Sequence, residues 1–316
     1  MQLHRLVVLS LHKGLYLPTE YEFPRIMSDI SVIGCGTMGT ALVETLAEQN
    51  TRVAVWNRTR ERALALAGPH VTVVDSVDEA IDRGPLTIVC VAGYEVTRSL
   101  LAEASVDLDG KTIASTSFVT HEQGRQLDEL VRSSDGRYLD LEILGYPSTV
   151  GVESTPLYLS GDRDAYEDGR SLLTELGTVK YVSSTPGDAF ISGLAVLLPY
   201  LPMAVSIVQG ATVCERNDIP LEWYAREIRT VYPRYIEQLL ETIETDPDPA
   251  DPANVEASVR TWGDGAKEYA DYLESLDLDA GIYQALHRLF SAGIEAGRGD
   301  HDWSCIGEIT AEHPTS

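Results

Sequence analysis

The stretch Ile30-Ser31-Val32-Ile33-Gly34-Cys35-Gly36-Thr37-Met38-Gly39 decides the fold of this chain. Its first four residues are mostly β-branched and read as a short buried strand. Gly34, Gly36 and Gly39 follow at G-x-G-x-x-G spacing, and the apolar residues Ala41, Leu42 and Leu46 then recur at helical intervals over 40–49. Three glycines alone are weak evidence, but between a strand and a helix they specify a dinucleotide turn. Gly34 permits the sharp turn, Gly36 lets backbone N–H groups approach a diphosphate, and Gly39 allows the helix to pack closely on the strand. The residues expected to hold the diphosphate are thus Gly34, Cys35, Gly36, Thr37, Met38 and Gly39, with the helix N-terminus adding partial positive charge.

The tip of the second predicted strand selects the dinucleotide. An acid there accepts from the ribose hydroxyls of NAD, but this chain has Asn57-Arg58-Thr59. Arg58 is suited to a 2′-phosphate, with Asn57 and Thr59 as further donors and Arg60 or Arg62 as added charge. The expected cofactor is NADP(H). Val91, Ala92 and Gly93 after the fourth strand, and Thr116 after the fifth, are expected to line the nicotinamide half.

Outward from this turn the pattern alternates. Strands are predicted at 30–33, 52–56, 71–74, 86–91, 111–115, 137–144, 157–160 and 179–182, with helices at 40–49, 61–67, 77–82, 121–133 and 165–176. The implied fold is an α/β Rossmann domain, a doubly wound parallel sheet, over 28–185. Beyond it, 186–316 reads as a long interdomain helix and an all-α C-terminal dimerisation domain. A kink is expected at Pro199 and Pro202, an interruption near Pro233 and a Pro/Asp linker at 246–254. The helix near 189–208 is too apolar to face water, and burial against another subunit is the simplest solution. Residues 1–27 are set apart as an N-terminal extension, either a flexible arm or a segment upstream of a natural start at Met27.

Composition narrows the function. Among 316 residues, Lys+Arg number 24 and Asp+Glu 49, a net charge of −25, with 44% hydrophobic residues. So acidic a chain repels phosphate backbones, and no nucleic-acid partner is expected. The longest apolar runs, 191–201 and 86–92, fall short of the ~20 residues that span a bilayer, so no membrane association is expected. Only four lysines occur, which fits a halophilic or a GC-rich source equally. The four cysteines form no C-x-x-C pair and the seven histidines no H-E-x-x-H, so no metal is expected and a reduced, cytoplasmic setting fits.

Four segments in order resemble the imine reductases, a branch of the β-hydroxyacid dehydrogenase superfamily. They are the glycine turn with Val55-Trp56-Asn57-Arg58-Thr59; Tyr138-Leu139-Asp140 leading to Pro147 and Gly151; Leu157-Tyr158-Leu159-Ser160-Gly161; and Glu295-Ala296-Gly297-Arg298-Gly299-Asp300 with Asp302-Trp303. The resemblance implies NADPH-dependent hydride transfer to a small, cyclic imine or iminium substrate. It also implies a homodimer with exchanged C-terminal helices, each site lying between one subunit's Rossmann domain and its partner's helices. It implies, too, a proton-donor position six residues after the glycine that opens the interdomain helix, Lys in the carbonyl-active branch and Asp or Tyr in imine reductases. Counted from Gly187, that position is Gly193. Tyr146 and Ser192 are expected to replace the missing donor, with Asp188, Tyr200 and Glu142 nearby, and Trp223, Tyr224 and Trp262 as possible pocket walls. A carbonyl or hydroxyacid oxidoreductase and a non-catalytic NADP-binding homologue remain the alternatives.

Overall fold

The computed structural model describes residues 27–312. Apart from Met27, the expected N-terminal extension lies outside them. The chain divides into two compact units, the first ending at Leu197 and the second beginning at Leu198.

In the first unit β1 (Ile30–Ile33), α1 (Thr37–Glu48), β2 (Val53–Trp56), α2 (Arg60–Leu64), β3 (Val71–Val73), α3 (Val77–Arg83), β4 (Leu86–Val89), α4 (Tyr94–Glu103), β5 (Thr112–Ser115), α5 (His121–Arg132) and β6 (Arg137–Ile143) alternate strictly. Then come β7 (Pro156–Gly161), α6 (Arg163–Leu173), β8 (Thr178–Ser183) and α7 (Asp188–Leu197). The strands form one sheet in the order β3-β2-β1-β4-β5-β6-β7-β8. The order reverses between β1 and β4, and in such a sheet ligands bind outside the carboxyl ends of the strands at that point.

The expectation of a wholly parallel sheet is corrected at its far end. β7 pairs antiparallel with β6, and β8 then pairs parallel with β7. A parallel return needs a crossover helix, whereas only a 3₁₀ turn at Pro147–Thr149 separates β6 from β7. Helix α4 was not foreseen, because its periodicity is faint: only Thr97 and Leu101 are buried.

Helices cover both faces, so the central strands are buried throughout. Leu42 and Leu46 of α1 and Leu173 of α6 pack with Val32, Ile88, Leu139, Leu141 and Leu159. On the other face Ile81, Leu101, Leu127 and Val131 from α3, α4 and α5, with Phe190 of α7, pack against Ile33, Val89, Ile113 and Tyr138. Because α7 packs on β6, β7 and β8, it belongs to the first compact unit, which ends at Leu197.

A buried carboxyl fastens α7 to the sheet. Asp140 of β6 accepts from the Tyr138 hydroxyl at 2.7 Å, from the Ser160 hydroxyl of β7 at 3.2 Å, and from the backbone N–H of Gly187 just before α7. The Ser160 Oγ in turn accepts from the Ala189 N–H at 2.9 Å. Burial pushes the Asp140 carboxyl above its ordinary value, against the pull of the Tyr138, Gly187 and Ser160 donors.

The second unit is all helix: α8 (Tyr200–Arg216), α9 (Leu221–Thr245), α10 (Val259–Ser275), α11 (Gly281–Gly293) and α12 (Ile306–Glu312). Pro199 is the N-cap of α8 and Pro202 lies in its first turn. The interruption expected near Pro233 does not occur, and α9 runs through it. The ring removes only the bond that residue 233 would make to the Arg229 carbonyl, while flanking turns keep theirs. Asp302 accepts from Ser304, Glu256 and Ala257 N–H groups and its own N–H donates to the Pro249 carbonyl at 2.9 Å, tying the Pro/Asp linker and the residues after it to the C-terminal turn. The unit buries little. α9 has no fully buried residue, and Leu201, Val208 and Ile243 are 68%, 67% and 74% exposed. By length and composition alone, Asp188–Arg216 is apolar enough to cross a membrane, more than the sequence estimate of its longest run allowed.

Replacing Asp140 with Ala strands three buried donors, each costing about 1–3 kcal/mol. Asp140→Ala is therefore expected to lower unfolding stability by about 3 kcal/mol or more, read as a reduced urea midpoint at unchanged m-value.

Candidate functional site

The glycine turn has the shape its sequence demands. Gly34 has φ +107°, a left-handed value, and a Cβ there would strike the Cys90 carbonyl of the turn after β4. A Cβ on Gly39 would strike the Gly34 carbonyl, so α1 begins against β1 with no room between them. Gly36 differs: a Cβ there would meet nothing within 4 Å. Its open side is a cradle beside the N-terminus of α1, where no side chain caps the helix and no acid stands in the first turn. Uncapped N–H groups facing open space fit a diphosphate. Thr37 is exposed and Met38 half-buried beside it.

Asn57 is built into this turn. Its Oδ1 accepts from the Cys35 N–H at 2.9 Å and its Nδ2 donates to the Thr59 carbonyl at 2.7 Å. The amide thus ties the tip of β2 to the glycine turn, and the outward groups at that tip are Arg58 and Thr59, both exposed. Arg60 is paired with Asp75 at 2.9 Å, whereas Arg58 has no ion pair among the described residues. Cys35 contributes its backbone: burial, followed by the nearby Cys90, pushes its thiol up to about 11, where it stays neutral. Arg62 opposes that shift.

The remaining turns gather at the same edge of the sheet. Val91, Ala92 and Gly93 follow β4; Gly93 (φ +84°) is the uncapped N-cap of α4, and its missing side chain also leaves open space. Thr116 follows β5, its N–H on the Val89 carbonyl at 3.0 Å. Ser117 shares a hydrogen bond with Thr97 at 2.5 Å, and Phe118 lies against Phe190 of α7.

The two residues expected to donate a proton lie on different elements. Tyr146 lies in the loop after β6, 60% exposed, and Ser192 is half-buried on α7. Asp188 accepts from the Ser183 hydroxyl and pairs with His121 Nε2 at 2.7 Å, which holds its carboxyl below the usual range. The residue that meets Gly193 is Glu142: a Cβ built on Gly193 would lie 2.5 Å from Glu142 Cγ. Its sequence signal was an acid near the end of a buried strand, in step with Asp140. In the second unit, Tyr224 donates to the Ile207 carbonyl at 2.9 Å and its ring covers Gly210, so it joins α9 to α8. Trp262 lies 5.5 Å from the Trp303 ring, and Trp223 is exposed.

A glycine turn, an uncapped helix N-terminus and a basic tip on β2 define a dinucleotide-binding Rossmann domain. Residues 29–185 match the family described as the NAD binding domain of 6-phosphogluconate dehydrogenase. An NADPH-dependent reductive aminase of Aspergillus oryzae is 31% identical over 169 residues, 53% of this chain and 57% of that protein. The cytokine-like nuclear factor N-PAC of Danio rerio is 26% identical over 193 residues, 59% of this chain and 40% of that protein. The chain thus spans about half the length of the relatives it matches in sequence. Among solved structures, an imine reductase from Myxococcus stipitatus in complex with NADP+ aligns at a TM-score of 0.81 and 24% identity, over 89% of this chain and 99% of that one. An imine reductase from Pseudomonas sp. aligns at 0.83 and 24% identity, over 90% and 99%. A reductive aminase from Aspergillus terreus, in complex with NADPH4, cyclohexanone and allyl amine, aligns at 0.80 and 23% identity, over 89% and 99%. This chain shares their fold.

The two glycines separate folding from binding. Gly34→Ala is expected to cost about 2–4 kcal/mol through strain and collision. Gly36→Val is expected to leave the melting temperature within about 2 °C yet weaken dinucleotide binding at least tenfold, measured by calorimetry.

Proposed function

We propose that this protein is an NADPH-dependent imine or iminium reductase acting on a small cyclic substrate, and that it works as a homodimer. One observation carries the reading. Where the superfamily resemblance places a lysine for carbonyl chemistry, α7 offers Gly193, and no lysine stands between Lys180 and Lys267. A carbonyl oxygen needs a proton as it becomes an alcohol, whereas an iminium nitrogen already carries its own.

The N–H groups at the start of α1 hold the diphosphate. Arg58 pairs with the 2′-phosphate, a charge-assisted contact, and Thr59 adds a hydroxyl. Ala92, Gly93 and Thr116 let a flat ring lie close to the backbone. Once bound, the reduced dinucleotide supplies hydride to the C=N carbon. Two relatives support this direction, an NADPH-dependent reductive aminase and an imine reductase in complex with NADP+.

The homodimer follows from what the second unit leaves uncovered. Leu201, Val205 and Val208 of α8 and Ile236, Leu240 and Ile243 of α9 are exposed in the single chain. Glu237, Glu241 and Glu244 are interleaved on α9, which suits a second protein copy with exchanged helices rather than lipid. The four cysteines are free thiols, in keeping with a reducing cytoplasm.

NADPH oxidation should accompany turnover of a cyclic imine such as 1-pyrroline; NADP+-dependent oxidation of 3-hydroxyacids without imine reduction would overturn the assignment. Arg58→Glu is expected to weaken NADPH binding at least tenfold and to leave NADH binding within about twofold, since a charge-assisted contact is worth about 1.5–3 kcal/mol. Sedimentation equilibrium should give the mass of two chains, and Leu201→Glu with Val208→Glu should give that of one.

A further inference from the structure

Gly193 and Glu142 face one another across α7 and β6. A Cβ built on Gly193 would lie 2.5 Å from Glu142 Cγ, 3.4 Å from its Cδ and 3.3 Å from Leu144 Cδ1. Non-bonded carbons do not approach to 2.5 Å, so any side chain at position 193 would compete with Glu142 for one volume. What α7 lacks, β6 fills from the opposite wall.

Glu142 also stands at the right height. β5 and β6 run parallel with Ser115 opposite Asp140. Two residues further on, Glu142 lies past the carboxyl end of β5, which stops at Ser115. Strand alternation puts Asp140 and Glu142 on the same face, but their surroundings differ. Asp140 is held by three donors. The Glu142 carboxyl has no hydrogen-bond donor or ion pair among the described residues. The groups facing it are few. On β7 Tyr158 is its register partner, and on β8 Lys180 lies beyond, its Nζ 5.6 Å from the Tyr158 ring. On α7 the charged residue is Asp188, already engaged by His121 and Ser183. On the β5 side Ser115, opposite Asp140, carries only a hydroxyl, and the Ser117 hydroxyl is engaged with Thr97. Burial, followed by the charge of Asp140, pushes the Glu142 carboxyl up to about 7.

We propose that Glu142 is the proton donor of this site, its carboxyl delivered from β6 into the space that Gly193 leaves open on α7. The assignment rests on the reductase reading above. The O–H bond of the carboxyl breaks as its proton passes to the lone pair of a neutral imine nitrogen, leaving a carboxylate beside an iminium cation. That proton and one hydride reduce a single C=N bond to an amine, the π pair passing to nitrogen, and the carboxylate retakes a proton from water. An iminium that is already alkylated on nitrogen has no lone pair to accept the proton, and toward it Glu142 acts only through the negative charge of its ionised form.

The test compares two substrates on the NADPH-loaded enzyme, the neutral imine 1-pyrroline and its N-methyl iminium salt. Glu142→Gln is expected to lower kcat for the neutral imine by about 10²-fold or more. It should change kcat for the permanent cation less than tenfold and leave NADPH affinity unaltered. In the wild type, kcat for the neutral imine falls as pH rises through about 7, because the carboxyl then loses its proton; the variant lacks this limb. A swap controls for folding. Gly193→Asp alone collides with Glu142 and lowers activity, while Glu142→Ala combined with Gly193→Asp returns a carboxyl to the same volume and restores neutral-imine turnover at least tenfold over Glu142→Ala. A readout independent of turnover is carboxyl NMR of the dinucleotide-free protein: a signal titrating near 7, absent from Glu142→Gln, is expected. A Glu142 signal titrating in the ordinary range overturns the proposal, as does an equal loss on both substrates. Wild-type enzyme that binds NADPH yet reduces neither compound overturns the reductase reading itself.

Discussion

The arrangement of this site depends on one buried carboxyl. Asp140 collects the Tyr138 hydroxyl from its own strand, the Ser160 hydroxyl from β7 and the Gly187 N–H at the entrance to α7. Burying an acid is costly unless donors meet it, and three do. The constraint also runs the other way. The donors are buried as well, so β7 and the start of α7 can sit only where they reach Asp140. Since α7 leaves the sheet from this fixed point, Gly193 comes to rest against the end of β6 rather than over open space. The inverted pair of strands at the sheet's far edge and the volume beside Glu142 are consequences of one anchoring contact.

A second constraint is close approach. The Gly34 and Gly39 positions bring β1, α1 and the turn after β4 so near one another that no Cβ fits between them, while the Gly36 position remains open. Tight packing on two sides of the turn and emptiness on the third make an anion site out of backbone alone. Asn57 secures it by engaging both ends of its amide within the protein, which leaves the tip of β2 to present Arg58 outward. In a chain with a net charge of −25, an arginine there without an acidic partner among the described residues is a local exception to the surface field.

The second unit poses the opposite problem. Its helices bury small clusters such as Val259, Phe290, Cys305 and Ile309, yet the apolar sides of α8 and α9 stay exposed. Their hydrophobic periodicity is left uncovered within the single chain.

The Rossmann half of the fold was legible residue by residue, because its signals are local: β-branched runs, glycines where φ must be positive, and a basic tip on a predicted strand. The reversal of β7 was not, since strand direction depends on what the connection packs against and a 3₁₀ turn leaves no periodic trace. Continuity of α9 through Pro233 was likewise invisible, as local propensity counts the lost bond and not the turns that hold on either side. The acid chemistry divided in the same way. Sequence determined that Gly193 carries no side chain, placed Glu142 on a strand near the cleft and offered Tyr146 and Ser192 for the proton. Only the tertiary structure brought Glu142 into the volume that Gly193 vacates, because that meeting depends on how far a helix lies from a strand fifty residues away, a distance set by packing and by the Asp140 anchor rather than by any local preference of the chain.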